Sequence, residues 1–553
     1  EGNIIVNTTD KGTVRLILNN ASISNTTTAP IKVLDAKKVI LTLADNTTNT
    51  ITDSSRLSTE EDYSAAIYSK EDLIINGNGT LNVNAGYRNG IKSTDDCIIV
   101  SGTLNITSTE DGIIGKDLCG IVAGDININA GSDGIKSTYD TDTTKGNVII
   151  EGGNITIKAS NDGIQAENIL VINDGTINIK TNNGAADTTQ THIDNMDMGR
   201  GGFGFNNNKT TTTTDDTSES RKGIKAGNML IINDGDITID SDDDSVHCNS
   251  VIYIYGGTIN AATGDDGVHA DDLLTVNGGT INITQCYEGL EADDIVINDG
   301  DISVVSSDDG INSSDGSITI NGGNLLINAS GDGLDANGSI IINGGYIVVL
   351  GPTSDGDTAI DYDDSCTING GTVMAFGSSG MLEIPKGASN GACIVTAFTS
   401  VSGGSKYTLS DSNGNEILSY TPSKAYAAAI VYSDKITTGN TYNITAGSTT
   451  LSIEVTSDVT SNVSSGFGGA GGMNKPGNGG SGMPNNGSSD NGMNGNSNGS
   501  MPDMSGNGAP DMNGNSSGDM PSMGGNSSNN SGNMPNMNNG SSNVNAPQMN
   551  NRM

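Results

Sequence analysis

Residues 266–283 read Asp266-Gly267-Val268-His269-Ala270-Asp271-Asp272-Leu273-Leu274-Thr275-Val276-Asn277-Gly278-Gly279-Thr280-Ile281-Asn282-Ile283. Three short apolar stretches lie within a few residues of one another, and Asp-Gly and Gly-Gly pairs punctuate them. Period-two alternation marks each stretch as a strand and the glycine pairs as turns. The first stretch has a fixed opening: an acid, Gly, an aliphatic, any residue, then a small one. That opening recurs as Asn89-Gly90-Ile91-Lys92-Ser93, Asp111-Gly112-Ile113, Asp133-Gly134-Ile135-Lys136-Ser137 and Asp162-Gly163-Ile164-Gln165-Ala166. It returns as Lys222-Gly223-Ile224-Lys225-Ala226, Asp244-Ser245-Val246-His247-Cys248, Glu288-Gly289-Leu290-Glu291-Ala292, Asp309-Gly310-Ile311-Asn312-Ser313 and Asp332-Gly333-Leu334-Asp335-Ala336, with a weaker copy at Ala359-Ile360-Asp361.

The interval is about 22 residues, with rare insertions. Three strands in that length are one coil of a parallel β-helix. Leucine-rich repeats have a similar period, but their Leu/Asn signature is absent, and an antiparallel sandwich would not repeat so evenly. The expected fold is therefore all-β: a single-stranded parallel β-helix of roughly a dozen coils, stacked at about 4.8 Å. Inward positions form ladders of like aliphatics, and the small residues Ser93, Ser137, Ala166, Ala226, Ala270, Ala292, Ser313 and Ala336 form a tight bend. Glycine is expected to supply positive φ at the corners.

The composition fits this geometry. The 553 residues carry Lys+Arg 25 against Asp+Glu 65, a formal net charge of −40, with 77 Gly, no Trp and 3% aromatics. So acidic a chain repels phosphate backbones, which argues against nucleic acid as a partner. No apolar run reaches the length that spans a membrane. Cys97, Cys119 and Cys366 fall in the inward column that elsewhere holds Leu170, Ile252 and Leu274, as aliphatic substitutes; a disulfide between Cys97 and Cys119 is open but not implied. The chain has no CxxC or Cys/His metal spacing, which argues against zinc.

The repeat sets the boundaries. Residues 1–380 form the β-helix, with the first 70 as less regular coils that cap one end and 183–221 as a surface insertion. The chain starts with Glu1, which suggests a mature or trimmed product. Residues 381–457 lose the repeat and read as a small β cap or module, closing an edge that would otherwise invite pairing. Residues 464–553 are rich in Gly, Asn, Ser, Met and Pro and are expected to be disordered. This tail holds most of the Met; soft-metal binding is one reading of it and a flexible spacer the plainer one.

Stacking turns a sequence column into a physical row. Asp244, Asp266, Glu288, Asp309 and Asp332 form one row at about 4.8 Å spacing, Asp243, Asp265 and Asp308 double it, and Asp271 and Asp293 follow shortly after. Like charges so close repel unless compensated, and Ca²⁺ with oxygen ligands compensates them well. These acids, with Asp335, are the candidate metal ligands; the alternative is satisfaction by solvent, salt and turn N–H groups. The next outward column reads Lys92, Lys136, Gln165, Lys225, His247, His269, Glu291, Asn312, Asp335 and Asp361. From it Lys92, Lys136, Lys225, His247, His269 and Glu291, with Tyr287 nearby, are the candidate carbohydrate contacts, against the alternative of a solvated face. A third face carries Asn82, Asn84, Asn105, Thr107, Asn127, Asn129, Thr156, Lys158, Asn178, Lys180, Asn282 and Thr284, a flat array of amides and hydroxyls, with two lysines, that could hydrogen-bond along a polysaccharide.

Several segments resemble one bacterial surface family: Asp10-Lys11-Gly12-Thr13-Val14-Arg15-Leu16-Ile17-Leu18, Ala65-Ala66-Ile67-Tyr68-Ser69-Lys70-Glu71-Asp72-Leu73, Lys222-Gly223-Ile224-Lys225-Ala226-Gly227, Asp265-Asp266-Gly267-Val268-His269-Ala270-Asp271-Asp272 and Tyr287-Glu288-Gly289-Leu290-Glu291-Ala292. The chain is similar here to the carbohydrate-binding-domain-containing proteins of clostridia and their relatives, over roughly residues 3–450. The resemblance implies a right-handed, pectate-lyase-like β-helix that is secreted or at the cell surface. It also implies Ca²⁺ and binding of cellulose or acidic sugars such as polygalacturonate. A chain of net charge −40 needs bridging Ca²⁺ to hold an acidic glycan.

Three functions stay open at this point. The first is a non-catalytic, Ca²⁺-dependent polysaccharide binder. The second is a polysaccharide lyase, with Lys92, Lys136 or Lys225 as base beside a cation. The third is a structural surface fibre that associates end to end. The acid row lies mostly in later coils than these lysines, which disfavours the lyase.

Overall fold

The computed structural model describes residues 2–8, 12–54, 63–186 and 220–463. Alternation decides the local structure: Asn154–Ala159 buries every second side chain, as does Asp125–Ala130. Such strands bury one face against a shared interior and pair side by side. The result is a parallel β-solenoid of about 15 turns at a spacing of ~23 residues. Most of the insertion, residues 187–219, and the tail, 464–553, lie outside the described residues. No helix among the described residues is long and apolar enough to cross a membrane.

Each turn contributes a strand to three faces. On the first face the repeat's aliphatics stack in register, Ile91 on Ile113, Ile113 on Ile135, Ile135 on Ile164, and onward through Val246, Val268 and Leu290 to Ile311. On the second face Cys97 pairs with Cys119 and Ile340 with Cys366. All six cysteines are buried and unbonded, packed as aliphatics would be. On the third face Ile106, Ile128, Ile157, Ile179 and Ile239 form one buried ladder.

There are more turns than a dozen because the first 70 residues join the same ladders. Ile4 pairs with Ile31 and Ile31 with Ile67; Leu16 pairs with Leu41; Ile23 pairs with Ile51. These turns lack the acid-Gly opening, so the repeat motif passes over them, but their aliphatic alternation is the same. Register also survives the insertion: Ile164 pairs directly with Ile224.

Glycine plays two roles rather than one. At the turn between the second and third faces it supplies positive φ, as at Gly124 (φ 122°) and Gly235 (φ 114°). The repeat's own glycine is needed for space. A Cβ on Gly134 would lie 2.5 Å from the Gly163 carbonyl oxygen and 2.5 Å from Ile157 Cγ2. Where Ser245 replaces that glycine, the third-face ladder carries Ala261 in place of isoleucine, and where Ala359 replaces it, the ladder carries Ala375. The chain thus trades volume across the core between the two faces.

Parallel stacking on the third face ends at Thr372–Gly377. This strand pairs antiparallel with Tyr426–Ser433, which pairs antiparallel with Ala392–Val401. A separate four-stranded antiparallel sheet of Tyr407–Asp411, Glu416–Tyr420, Thr441–Ala446 and Thr449–Glu454 lies nearby in sequence. Here the scarce aromatics concentrate: Phe376 packs edge-on against Tyr407 and Tyr426, with ring centroids 5.4 and 5.1 Å apart. These wider sheets leave room for rings that the narrow solenoid interior lacks.

Candidate functional site

The acid row is first of all a structural device. Most of the turn aspartates direct Oδ1 at the backbone N–H of the counterpart one turn on. Asp111 accepts from Asp133 at 3.1 Å, Asp133 from Asp162 at 3.0 Å, Asp244 from Asp266 at 3.1 Å, Asp266 from Glu288 at 3.1 Å and Asp309 from Asp332 at 2.6 Å. The N–H groups that the turns leave unpaired are met in this way by the preceding turn. One oxygen of each of these aspartates is therefore committed, which leaves the other for a cation or a basic side chain. Asp244 and Asp266 are buried, at 1% and 6% exposure.

The strip column stacks in register from Lys136 through Gln165, Lys225, His247, His269, Glu291, Asn312 and Asp335 to Asp361. Lys92 is cut off from it. The turn between Lys92 and Lys136 places Ile114 in the column, a buried residue whose turn reads Ile113-Ile114-Gly115. Burial pushes the Lys92 ammonium below its usual range. Lys136 forms an ion pair with Asp133 at 2.5 Å, and Lys225 donates to Ser220 Oγ at 3.1 Å.

In the middle of the strip the candidate residues converge. Lys222 Nζ lies 2.8 Å from Asp243 Oδ1 and 2.6 Å from Asp244 Oδ2, so the cation beside these two acids is an ammonium from the turn before. Arg221 pairs likewise with the fully buried Asp242 at 2.7 Å. Burial pushes the Asp244 carboxyl up, but Lys222, followed by His247 and His269, outweighs it and holds it well below the usual range. Asp265, which forms a close group with Asp243 and Asp244, goes the other way: burial, then Asp266 and Asp244, raise it to about 8.

The two imidazoles stack edge to face, ring centroids 4.9 Å apart. Burial works against a charge on His269, but Asp266, Asp244 and Glu291 lift its pKa to about 10. Burial and Asp266 raise Glu291 to about 8, and burial and Glu291 raise Glu288 to about 9. Glu288 also accepts a bond from Asn312 Nδ2 at 2.9 Å.

Further along, Asp309, Asp332 and Asp335 bring carboxylate oxygens within 4.8 Å of one another. Burial and Asp335 raise Asp309 to about 8. Burial raises Asp332 to about 8, with Asp309 and Asp335 adding to it, and burial and Asp361 raise Asp335 to about 6. The shifts arise from burial and from other acids, with no basic side chain among their causes. This donor set of hard oxygens fits Ca²⁺, with solvent completing the shell. Three of the candidate metal ligands thus meet without a counter-cation, whereas Asp243 and Asp244 already have one.

The other candidates lie apart. Asp308 sits on the same turn and donates its backbone N–H to the Tyr287 carbonyl at 3.0 Å. Tyr287 is half-buried on the turn before the first face. Asp271 and Asp293 come after the strip, at the next corner: Asp271 reaches His269 Nε2 only at 3.6 Å, and Asp293 accepts a bond from Ser314 at 3.1 Å. The third-face amides are partly occupied with one another, Asn105 donating to Asn82 at 2.9 Å and Asn127 to Asn105 at 3.1 Å. Sequence reasoning missed a further group, Asp72, Asp95 and Asp96. Its signal was present: Asp72-Leu73-Ile74 and Asp96-Cys97-Ile98 are one turn apart and open the second-face strand, but the motif search followed the first.

Known proteins place this solenoid. A family model described as carbohydrate-binding domain-containing protein matches residues 1–267 and 265–375. A relative of that description from Acetivibrio thermocellus is 36% identical over 110 residues, 19% of this chain; the chain spans 38% of that relative's length. A solved structure of the polysaccharide lyase-like protein from C. thermocellum, a gadolinium derivative, is 35% identical and covers 33% of this chain and 75% of its own, with a TM-score of 0.32. With the family model accounting for well over half of its residues, the chain belongs to the carbohydrate-binding domain-containing protein family.

Proposed function

We propose that the chain is a non-catalytic, extracellular carbohydrate-binding β-helix of a bacterial surface, and that Ca²⁺ is needed for its binding to plant-type polysaccharide. Cellulose and acidic sugars such as polygalacturonate are the glycans in view. The observation that carries this reading is the continuity of one column. The polar strip of Lys225, His247, His269, Glu291 and Asn312 runs in register into Asp335, a member of the all-oxygen group with Asp309 and Asp332. A polymer lying along the solenoid axis would meet imidazoles, amide and carboxylates at one spacing, about 4.8 Å. A cation held at Asp309, Asp332 and Asp335 would supply the positive charge that a uronate needs on so acidic a surface.

The lysines argue against a lyase. A base must stand beside the cation-bound uronate, yet Lys136 is tied to Asp133, Lys225 to Ser220, and Lys92 lies beyond Ile114. A glycan array with and without EDTA tests the proposal. Binding to polygalacturonate or cellulose that disappears with EDTA and returns with Ca²⁺ is the expected result; equal binding in both conditions would overturn the Ca²⁺ requirement. A sustained rise in ultraviolet absorbance on polygalacturonate, from unsaturated products, would replace the binder with a lyase.

A further inference from the structure

We propose that His247, His269, Asp244 and Glu291 form a site for a divalent transition-metal ion of the zinc class, distinct from the all-oxygen group at Asp309, Asp332 and Asp335. His247 is 9% exposed. Its Nε2 lies 2.9 Å from Asn249 Oδ1. That oxygen is an acceptor, so Nε2 carries the hydrogen, and in the neutral ring Nδ1 keeps its lone pair. This orientation, with the outer ring nitrogen fixed by a hydrogen bond and the inner one free, is how a ligating histidine is held. Nδ1 is buried and has no hydrogen-bond partner. It lies 2.8 Å from Asp244 Oδ2, off the direction an N–H bond would take. In the neutral ring two lone-pair atoms stand this close, an arrangement that a cation beside them relieves.

His269 supplies the second observation. Its Nδ1 is 3.4 Å from Asp266 Oδ2, 3.4 Å from Glu291 Oε2 and 3.7 Å from Asp244 Oδ2. Hydrogen bonds of this type close to about 2.7–3.2 Å. Donors on a tetrahedral ion with bonds of about 2.0–2.1 Å stand roughly 3.3–3.4 Å apart, as His269 Nδ1 and Glu291 Oε2 do; His269 Nδ1 and Asp244 Oδ2 are somewhat wider at 3.7 Å and His247 Nδ1 and Asp244 Oδ2 closer at 2.8 Å. Asp244, His247 and His269 bring their ligand atoms within 4.8 Å of one another, and so do Asp266, His269 and Glu291. Asp244 and Asp266 each have one oxygen committed to a backbone N–H, so the other oxygen of Asp244 and the Glu291 carboxylate complete the set. Mixed imidazole and carboxylate donors suit zinc and its neighbours rather than Ca²⁺. Lys222 is shared by Asp243 and Asp244, so Glu291 is the carboxylate left to balance the ion.

The absence of a Cys/His spacing in the sequence does not bear on this site. That spacing describes ligands on one local segment, whereas a solenoid gathers ligands a full turn apart, here residues 247 and 269. Nor does the site depend on glycan binding, since the metal can be measured alone.

The test is calorimetric titration of ZnCl₂ into the chelator-treated full chain in millimolar Ca²⁺, with Co²⁺ as a spectroscopic substitute. One equivalent of Zn²⁺ and tetrahedral d–d bands with Co²⁺ are expected, with affinity weakened at least about tenfold in the His247→Gln/His269→Gln double variant. No Zn²⁺ binding, or unchanged affinity in the double variant, would overturn the site. Should that variant misfold, imidazole ¹⁵N spectra of the unaltered chain decide. Zn²⁺ must shift the Nδ1 resonances of His247 and His269, and a response confined to His192 refutes the proposal.

Discussion

Asp162 Oδ1 accepts the backbone N–H of Lys222 at 2.8 Å across 60 residues of sequence, the bond that its counterparts make across a single repeat. Ser220 Oγ donates to the same oxygen at 2.7 Å. The turn-acid bond is therefore kept across the insertion, and the ladder skips the next rung, where the Asp244 N–H turns to Asp243 Oδ1 at 2.9 Å. Replacing Asp162 by Ala leaves a buried N–H without an acceptor, which should cost about 1–3 kcal/mol in urea denaturation. Asn keeps the acceptor and should cost distinctly less. Equal losses for the two variants would mean that the charge matters here and the hydrogen bond does not.

Ser245 and Ala261 form a second pair open to test, since the chain itself carries both combinations of volume. Ala261→Ile restores the isoleucine found elsewhere in the ladder but drives it into the Ser245 side chain, a cost of roughly 1–3 kcal/mol from overpacking. Adding Ser245→Gly should recover most of that loss. The double-mutant cycle is expected to show a coupling of about 0.5–3 kcal/mol, and additivity would refute the trade of volume across the core.

The pH dependence has a definite sign. Asp309 and Asp332 titrate near about 8 in the folded chain, raised by burial and by neighbouring acids. An unfolded aspartate titrates near about 3.9. Between those values the folded chain holds protons that the unfolded chain has released, so stability falls as the pH rises from about 4 to about 8. In EDTA, the thermal midpoint followed by circular dichroism should drop over this range. A midpoint that rises would show that the carboxylates are stabilised as anions.

Ca²⁺ should return much of that loss at pH 8, because the cation replaces the protons. The Asp309→Asn/Asp332→Asn variant should be less sensitive to pH and should gain little from added Ca²⁺. A full Ca²⁺ response in this variant would move the site elsewhere, with Asp72, Asp95 and Asp96 the next group to alter.

The solenoid and its ladders were legible in the sequence because one motif, read every 22 residues or so, fixes which side chains stack. The pairing of His247 with His269, and of His269 with Glu291, follows from that count alone. What the count could not give is depth and direction. Lys222 occupies a turn-acid position, and only geometry shows its ammonium serving the acids of the next turn. Ile114 broke the strip because its turn lacks the residue pattern used to align the others. The committed Oδ1 of these aspartates was hidden too, since a carboxylate that binds a backbone N–H and one that awaits a cation are spelled alike.

The reversal of strand direction at Thr372–Gly377 has a consequence for association. A parallel stack is a template: each turn offers the next the donors and acceptors it needs, and the logic that adds the last turn of one molecule would add the first turn of another. On the third face that template is withdrawn, because Tyr426–Ser433 covers the final parallel edge in antiparallel sense. Growth by addition of coils is blocked at that edge, so on this face the chain behaves as a crystal of fixed size, its extent written into the polypeptide rather than left to concentration.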